Sequence, residues 1–390
     1  MQYLDEFNLE NKNILLRLDL NTPIQEGRIS NDERIIRSMK TIRYILDNKG
    51  RLKILSHLGR PLENGIIQKE FSLEPVAKRL GELLNREIKL INSLDDNFTP
   101  LPGELVLIEN IRFCLGEKSN DETLSSKLAK MCDIFIMDAF ATSHRAHAST
   151  TGVISKADEA CGGFLLKEEL FSLNQLHQNN NHPSIAILGG SKISTKLDLI
   201  NSLANKMDHI ILGGGIANTC LAAQGYEIGK SLFEEDMIVQ ARELSDKENV
   251  LLPSKVIVSD SVEGKGRVSD IGSIQANEAI FDIAPESFAD LNVIFDKAKV
   301  ILWNGPVGLF EFEEFISGTK AITDLIVKSE GYSVGGGGDT IAAAEKLGVL
   351  NSLDYISTAG GAFLEYMEGK RLPAIEALEA KALVSTSNQA

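Results

Sequence analysis

The sequence predicts an α/β protein made of two doubly wound parallel-sheet domains joined by a connector helix. Short apolar runs alternate with amphipathic helical periods along the whole chain. These runs are continuously apolar, which indicates strands that are buried on both faces, as in a parallel sheet. The length of 390 residues is enough for two such domains, each with its own core.

The predicted strands are short runs rich in β-branched residues and leucine. They lie at residues 14–18, 52–56, 105–109, 134–137, 185–188, 209–212, 256–258, 300–303 and 355–357. Amphipathic stretches predict helices at 74–84, 124–131, 197–204 and 234–244. Strands that alternate with helices in this way are typical of parallel sheets with helical crossovers.

The predicted domain boundary is a helical period at 164–178, which ends in the polar run 179–183. We interpret this helix as the connector. It divides the chain into a first domain, 1–165, and a second domain that begins at 166 and includes the connector. A short helical segment at 374–383 closes the sequence, and the sequence alone does not determine where this segment docks.

Composition and charge exclude several classes of protein. A formal net charge of −15 argues against non-specific nucleic-acid binding. No stretch approaches the length of a transmembrane helix, and the first ten residues lack the apolar core of a signal peptide. The four cysteines show no paired spacing, so we expect free thiols in a reducing cytoplasm.

The most informative stretch is a run of four glycines at 335–338, followed by Asp339, Thr340 and a predicted helix at 341–347. Consecutive glycines cost conformational entropy and add no packing, but they let backbone N–H groups approach an anion at a helix N-terminus. Asp339 suits Mg²⁺ held jointly with phosphate oxygens. The run therefore predicts a nucleotide phosphate site. The alternative is a flexible surface loop in which Thr340 caps the helix.

The first half of the chain is rich in arginine, with eleven of the fourteen arginines in residues 1–165. Polar clusters follow predicted strands at 17–23, 56–61, 109–113 and 138–147. Because parallel strands end at one sheet edge, we expect the basic side chains there to converge on a small polyanion. These are Arg34, His57, Arg60, Arg112 and Arg145. Asp19 and Asn21 would accept hydrogen bonds from a substrate hydroxyl.

Two alternatives apply to this half. Each arginine taken singly is more often a solvated surface residue. His144 and His147 could pair on a metal ion, but the sequence around them supplies no third ligand.

Glycine-containing loops recur in the second half. The run 187–192 and Lys196 follow a predicted strand, and we expect Lys192 and Lys196 to lie on one helical face and point at a phosphate chain. A second run ends in three glycines from Gly213 onward. Neither loop has the spacing of the common phosphate-loop or dinucleotide motifs. In the run 302–311, Glu311 could accept from ribose hydroxyls, whereas Trp303 is more often a core residue than a base-stacking one.

The order and spacing of these motifs resemble the phosphoglycerate kinase family over almost the whole chain. The resemblance rests on RLDLNTP at 17–23, SHLGRP at 56–61, ENIRF at 109–113, DAFATSHRAHAS at 138–149, LGGSK at 188–192, LWNGPVGLFE at 302–311, GGGGDT at 335–340 and STAGGAFLE at 357–365. It implies two Rossmann-like domains joined by a hinge, with the tail at about 374–390 folded back onto the first domain.

The resemblance also implies ligand sites. The first domain would bind 3-phosphoglycerate through Asp19, Leu20, Asn21, Arg34, His57, Leu58, Gly59, Arg60, Arg112 and Arg145. The second domain, 166–373, would bind ATP or ADP with Mg²⁺ through Lys192, Lys196, Gly213, Asn304, Glu311, Gly337, Gly338, Asp339 and Thr340, with Asp339 on the metal. A cytoplasmic monomer is expected, without nucleic-acid or membrane partners.

The expected reaction is a direct, reversible phosphoryl transfer between an acyl phosphate and ADP, which needs positioning and charge neutralisation more than covalent chemistry. Arg34, Lys196 and the amides of Gly337 and Gly338 are the expected catalytic groups, acting after hinge closure. Two other classes remain. A nicotinamide dehydrogenase would need the dinucleotide motif, and a non-catalytic nucleotide-binding regulator would not need the basic cluster.

Overall fold

The computed structural model describes residues 1–63, 66–96, 98–176, 178 and 181–387. The chain divides into two compact units: unit 1 is Met1–Leu170 together with the chain from Arg371 onward, and unit 2 is Phe171–Lys370. The division falls within a helix, between residues 170 and 171, whereas the sequence placed it after residue 165. Of the predicted connector at 164–178 and its polar run, residues 177, 179 and 180 lie outside the described residues.

Unit 1 is built on a six-stranded parallel sheet with the order β10-β9-β1-β4-β8-β7. Its strands, including two short antiparallel pairs, are β1 (Asn13–Leu18), β2 (Ile24–Gln25), β3 (Arg28–Ile29), β4 (Arg51–Leu55), β5 (Leu62–Glu63), β6 (Ile66–Ile67), β7 (Lys89–Ile91), β8 (Leu105–Ile108), β9 (Ile134–Asp138) and β10 (Glu159–Gly162). The helices are α1 (Glu33–Asp47), α2 (Glu74–Leu84), α3 (Glu122–Ala129), α4 (Val153–Lys156) and α5 (Phe164–Gln175).

Both faces of the central strand β1 are buried. Ile14, Leu16 and Leu18 pack into one core with residues of α1 and α2. Since side chains alternate along a strand, Leu15 and Arg17 lie on the opposite face, and both are buried as well. A charged residue thus occupies the interior of unit 1.

Unit 2 repeats this plan with a six-stranded parallel sheet of order β13-β12-β11-β17-β18-β19 and a separate three-stranded antiparallel sheet of order β15-β14-β16. Its strands are β11 (Ser184–Leu188), β12 (His209–Leu212), β13 (Val250–Leu251), β14 (Lys255–Ser259), β15 (Arg267–Asp270), β16 (Ala279–Ile283), β17 (Val300–Asn304), β18 (Tyr332–Gly336) and β19 (Tyr355–Ser357). Its helices are α6 (Leu197–Ala204), α7 (Gly214–Ala223), α8 (Ile238–Ser245), α9 (Asn292–Lys297), α10 (Ser317–Lys328), α11 (Gly338–Lys346) and α12 (Gly361–Met367).

The predicted fold class is confirmed by the two parallel sheets, but the assignment of residues 256–258 to such a sheet is wrong. Val256 and Val258 pack into one small core and Ile257 into another. The strand is therefore buried on both faces inside an antiparallel sheet. A continuous apolar run indicates that both faces of a strand are buried, but it does not indicate whether the strand pairs in a parallel or an antiparallel direction.

Four strands of the two parallel sheets were not predicted. The strand β18 lies inside its sheet, whereas β7, β10 and β13 lie at sheet edges. These edge strands are short and only partly apolar, so they depend on pairing with a neighbour more than on their own pattern. The predicted helix at 234–244 is a 3₁₀ turn at Glu235–Met237 followed by α8.

The C-terminal segment forms α13 (Pro373–Ser387), longer than the predicted 374–383. This helix contacts β10 and α4 within unit 1, and the Ala374 amide donates to the Ser143 carbonyl oxygen at 3.1 Å. Among the described helices, none is long and apolar enough to cross a membrane.

Candidate functional site

The anion-site residues of unit 1 lie where neighbouring parallel strands end. Strands β9, β1, β4 and β8 are adjacent in the sheet. Asp19, Leu20 and Asn21 follow β1; His57, Leu58, Gly59 and Arg60 follow β4; Arg112 follows β8, Arg145 follows β9, and Arg34 is in the first turn of α1. The carboxyl ends of parallel strands form one edge of the sheet, so these residues share that edge.

Asp19 is held by its basic neighbours. Arg34 Nη1 donates to Asp19 Oδ2, and the other carboxylate oxygen lies 3.9 Å from His57 Nδ1. The carboxylate therefore neutralises only part of a larger positive charge.

Two long-range contacts hold the loop at Gly59, which has a φ of 55°. The Gly59 amide donates to Asn21 Oδ1 at 2.9 Å, and the Gly59 carbonyl oxygen accepts from Arg112 Nη1. One lone pair of the Asn21 oxygen is thus already used. Leu20 and Leu58 are both buried.

Asn110 organises this edge, although the sequence did not single it out. Its side-chain oxygen accepts from the amides of Leu58 at 3.2 Å and Arg112 at 3.1 Å. Its amide nitrogen donates to the Leu58 carbonyl oxygen at 2.7 Å. An asparagine two residues before an arginine, at the end of an apolar strand, was the available signal.

The cluster carries unbalanced positive charge. Burial, followed by Arg17, Arg112, Arg145 and Arg34, lowers the pKa of His57 well below its usual value. Burial and the neighbouring arginines also lower the pKa of Arg112 to about 10. Cations that lower one another's pKa repel one another, and a bound anion relieves this repulsion. This edge of the sheet is therefore suited to binding phosphate and carboxylate groups.

Arg60 and Arg145 are less buried than His57 and Arg112. Arg60 is exposed, and Arg145 is half-buried with its Nε donating to His144 Nε2 at 3.1 Å. His147 Nδ1 lies 3.7 Å from a carboxylate oxygen of Glu117. Within the described residues, no group of three His, Cys, Asp or Glu side chains could hold a metal ion, so the His144 and His147 pair gains no third ligand.

Arg17 is a further basic residue of this cluster, and it was not among the predicted site residues. It is buried on the face of β1 that carries Leu15, and its Nε donates to Ser149 Oγ at 3.1 Å. Ser149 in turn contacts the buried carboxylate of Glu117. A lone arginine inside an apolar strand was the signal for Arg17. Ser149 is the last residue of the motif at 138–149, whereas nothing local indicated Glu117.

In unit 2, the glycine-containing loops also follow adjacent parallel strands, β12, β11, β17 and β18. Lys196 lies at this edge, and its Nζ donates to the carbonyl oxygens of Gly189 at 2.6 Å and Asn304 at 3.1 Å. Burial lowers the pKa of Lys196 to about 8, and the Asp339 charge partly opposes this effect. The lysine is therefore a desolvated cation beside the glycine run.

The expectation that Lys192 and Lys196 share a helical face is wrong. α6 begins only at Leu197, so both lysines lie in the preceding loop. The Glu234 carboxylate accepts from the amide of Ser194 at 2.8 Å and from its hydroxyl at 2.6 Å, which holds the loop in a non-helical path. As a result Lys192 is exposed, while Lys196 is half-buried.

The glycine run joins β18 to α11. The last two glycines of the run are Gly337, with a φ of 102°, and Gly338, the first residue of α11, which begins three residues earlier than predicted. Apart from its chain neighbours and its own helix backbone, a Cβ at Gly338 would have no atom of the described residues within 4 Å. In contrast, a Cβ at Gly213 would lie 2.6 Å from Val307, so Gly213 is required for packing.

Thr340 and Asn304 fix this junction from inside. The buried Thr340 hydroxyl donates to the Gly336 carbonyl oxygen and accepts from the Gly305 amide, both at 2.8 Å. Asn304 Nδ2 donates to the Gly336 carbonyl oxygen at 2.6 Å, while its buried Oδ1 has no hydrogen-bond partner among the described residues. Trp303 is a core residue, as favoured from its sequence context.

A cavity of about 760 Å³ adjoins these loops within unit 2. Glu311 and Asp339 line it, together with Gly190, Gly214, Pro306 and Phe310. Its volume and mixed lining are typical of sites for nucleotide-sized molecules. Asp339 is exposed in the first turn of α11, and a single carboxylate fits Mg²⁺, which commonly keeps several waters and binds substrate phosphates.

Comparisons with known proteins agree with these features. A family model described as "Phosphoglycerate kinase" matches residues 4–370. A phosphoglycerate kinase of Coxiella burnetii is 47% identical over 386 residues, covering 97% of this chain and 98% of the relative. One from Vibrio campbellii is 46% identical over 381 residues, with 97% and 98% covered.

Solved structures give the same result. The structure of phosphoglycerate kinase from Coxiella burnetii matches with a TM-score of 0.94 at 46% identity, covering 97% of this chain and 99% of that one. The enzyme from Pyrococcus horikoshii OT3 matches with a TM-score of 0.82 at 30% identity, covering 98% and 99%.

Proposed function

The chain belongs to the phosphoglycerate kinase family, and from this premise we propose that it catalyses reversible phosphoryl transfer between 1,3-bisphosphoglycerate and ADP, giving 3-phosphoglycerate and ATP. The single observation that supports this reaction best is the unbalanced cationic cluster around His57 in unit 1. A non-catalytic nucleotide-binding protein would have no need of such a cluster.

The cationic edge of unit 1 is proposed to bind 3-phosphoglycerate. Its phosphate and carboxylate would accept from His57 and the surrounding arginines, Arg34, Arg60, Arg112 and Arg145. Asp19 and Asn21 would orient the substrate hydroxyl, and the main chain at Leu20, Leu58 and Gly59 would complete the site. Charge-assisted hydrogen bonds of this kind contribute about 1.5–3 kcal/mol each when partly desolvated.

The glycine-loop edge of unit 2 is proposed to bind ATP or ADP. Lys192, Lys196 and the amides of Gly337, Gly338 and Thr340 would hold the phosphates. Gly213 and Asn304 would shape the site, and Glu311 would accept from the ribose. Asp339 would hold Mg²⁺, which neutralises phosphate charge when bound.

Catalysis is proposed to be direct, in-line transfer without a covalent enzyme intermediate. Arg34, Lys196 and the amides of Gly337 and Gly338 would stabilise the charge on the migrating phosphoryl group. Because the two substrates are assigned to different units, we propose that hinge closure precedes transfer and excludes water.

We also propose that the protein works as a cytoplasmic monomer. The four cysteines are free in the structure, which is consistent with a reducing compartment. Light scattering after gel filtration would test the monomer.

The test of the reaction is 3-phosphoglycerate-dependent ATP consumption, coupled to NADH oxidation by glyceraldehyde-3-phosphate dehydrogenase. We expect turnover that requires both 3-phosphoglycerate and Mg²⁺. Folded protein that binds Mg-ATP without any turnover would contradict the proposal and favour a nucleotide-binding regulator.

A further inference from the structure

The buried guanidinium of Arg17 is connected on two sides. Nε donates to Ser149 Oγ at 3.1 Å, and Nη2 lies 3.2 Å from His57 Nδ1. Nη1 donates to the Leu18 carbonyl oxygen. A charge in the interior is tolerated only when it is paired and hydrogen-bonded, so these partners fix where the guanidinium lies.

Glu117 supplies a negative charge opposite to that of Arg17, and Ser149 links the two side chains. This residue is 1% exposed, and its two carboxylate oxygens accept from the Ser149 hydroxyl at 2.6 Å and the Ser149 amide at 2.9 Å. An ionised carboxylate can only accept, so the hydroxyl proton of Ser149 points to Glu117. The hydroxyl oxygen therefore turns its lone pairs toward Arg17 Nε–H.

The same argument continues to the imidazole of His57. A guanidinium has no acceptor, so Nδ1 of His57 must accept from Arg17 and the ring proton lies on Nε2. Asp19 Oδ1 lies 3.9 Å from Nδ1, and the charges of Arg34, Arg112 and Arg145 also act on the ring. The cations and burial disfavour a second proton.

We propose that Glu117 and Ser149 are positioning residues of the anion site: they orient Arg17, and Arg17 holds His57 in the tautomer whose Nε2–H donates to an anionic oxygen of the substrate. This inference rests on the proposed function. It assigns a role to two residues that lie behind the substrate-binding layer.

A purely structural role for Glu117 is the competing explanation, because the Glu117 carbonyl oxygen also accepts from the Ala148 amide at 2.9 Å. That main-chain contact survives a side-chain change. Glu117→Gln keeps the side-chain shape but places an N–H₂ group against a donor of Ser149. Ser149→Ala removes the hydroxyl and leaves Arg17 Nε without its acceptor.

The first readout is the His57 tautomer in the free, ¹⁵N-histidine-labelled protein, observed by long-range proton–nitrogen correlation. His57→Gln assigns the signal among the six histidines. We expect the Nε2–H tautomer in the unaltered protein and a shift toward mixed tautomers in Glu117→Gln and Ser149→Ala.

The second readout is kinetic. We expect the KM for 3-phosphoglycerate to rise about tenfold or more in both variants, because the hydrogen bonding that positions Arg17 at the anion site of unit 1 is disturbed. The KM for ATP should stay unchanged, because neither substitution alters a proposed nucleotide-binding residue. Glu122→Gln is the matched control: it removes an exposed carboxylate paired with Lys156 and should change neither readout.

The inference is overturned if either readout stays at its original value in both variants while circular dichroism shows that they are folded. If the unaltered protein does not turn over 3-phosphoglycerate, the proposed function fails. The tautomer measurement, which needs no substrate, still decides whether the Glu117–Ser149–Arg17 chain sets the state of His57.

Discussion

Lys196 donates a hydrogen bond to the main-chain carbonyl oxygen of Gly189 at 2.6 Å. A Cβ at residue 189 would lie 1.8 Å from the Pro306 carbonyl oxygen, so no side chain can replace this glycine. Two carbonyl groups satisfy the ammonium in part, but burial still lowers its pKa to about 8. The charge of Lys196 in the free enzyme is therefore sensitive to mild alkali.

We accordingly predict that nucleotide affinity falls as pH rises through about 8. The lysine is charged below this pH and neutral above it, and the phosphates of ADP bind the charged form. The dissociation constant for ADP should therefore rise by up to about tenfold for each pH unit above the pKa. Isothermal titration of ADP from pH 7 to pH 9.5 measures this. Lys196→Met should bind more weakly with a flat profile, and an unchanged slope in that variant would contradict the assignment.

Arg34→Ala should depress turnover far more than nucleotide binding. By analogy with arginine fingers, loss of a cation that stabilises the migrating phosphoryl group costs on the order of 10³-fold in kcat. The comparison needs kcat from the coupled assay and the ADP dissociation constant. Arg43→Ala, an exposed change on the same helix, is the control. Equal losses in kcat and nucleotide affinity would argue against a catalytic role.

Asp339→Asn should weaken binding of the magnesium–nucleotide complex while the fold stays intact, because the carboxylate is exposed. Loss of one charge-assisted contact raises the apparent KM for Mg-ADP about tenfold or more. Titrating Mg²⁺ at fixed ADP measures the effect. Glu345→Gln, exposed on the same helix α11, should behave like the unaltered protein. An unchanged magnesium requirement in Asp339→Asn would remove Asp339 from the metal site.

The substitution Gly338→Ala distinguishes an effect on folding stability from an effect on how closely a ligand can approach the main chain. A methyl group there meets no atom within 4 Å in the described parts of the chain beyond its own helix backbone and chain neighbours, so the melting temperature should not fall. If the main chain at this point contacts phosphate, the added methyl group should nevertheless reduce turnover. Gly272→Ala is the control, because that glycine is equally unobstructed but lies elsewhere in unit 2. Full activity in Gly338→Ala would exclude close phosphate approach at this residue.

The stability of unit 1 should depend on Asp138. This buried carboxylate accepts from Thr41 Oγ1 at 2.6 Å and from the Leu166 amide at 2.9 Å, which joins α1 to the N-terminus of α5. Burial raises its pKa to about 6, above the unfolded value of 3.8. The folded state then binds more protons between these values, so the associated stability is present at low pH and is lost as pH rises through about 6.

The measurement is urea unfolding of the unaltered protein and Asp138→Asn at pH 5 and pH 7. Asparagine does not titrate, and other groups cancel between the two proteins. The unaltered protein should gain roughly 1 kcal/mol relative to Asp138→Asn on going from pH 7 to pH 5. A free-energy difference that does not change with pH would show that Asp138 titrates normally.

Most inner strands of the parallel sheets, and the edge strand β19, were readable from sequence because their signal is local. The inner strand β18 was not among the predicted strands. Strands β11, β12, β17 and β19 lie within a residue of the predicted runs. Each is a short apolar run ended by glycine or polar residues. The same pattern predicted that the polar clusters after the strands lie together, because the carboxyl ends of parallel strands share one edge of the sheet. Their ligand roles stay predictions.

Direction and pairing were decided by tertiary structure. The run 256–258 carries the same apolar signal as its neighbours but pairs in an antiparallel sheet. Lys192 and Lys196 are four residues apart, yet Glu234, forty residues from Ser194, shapes the loop so that only Lys196 turns inward. No local pattern contains that information.

The sequence by itself therefore determined the fold class, most of the inner strands and which loops carry unusual polar or glycine-rich chemistry, because apolar runs and breaker residues act locally. Only the tertiary structure decided which buried partners stand behind these loops. Arg17 and Ser149 are 132 residues apart, and their hydrogen bond exists because the fold places β1 beside that segment. A buried charge needs hydrogen-bond partners that are close in space, and such partners can be far apart in sequence, so the sequence pattern around the charge does not predict them.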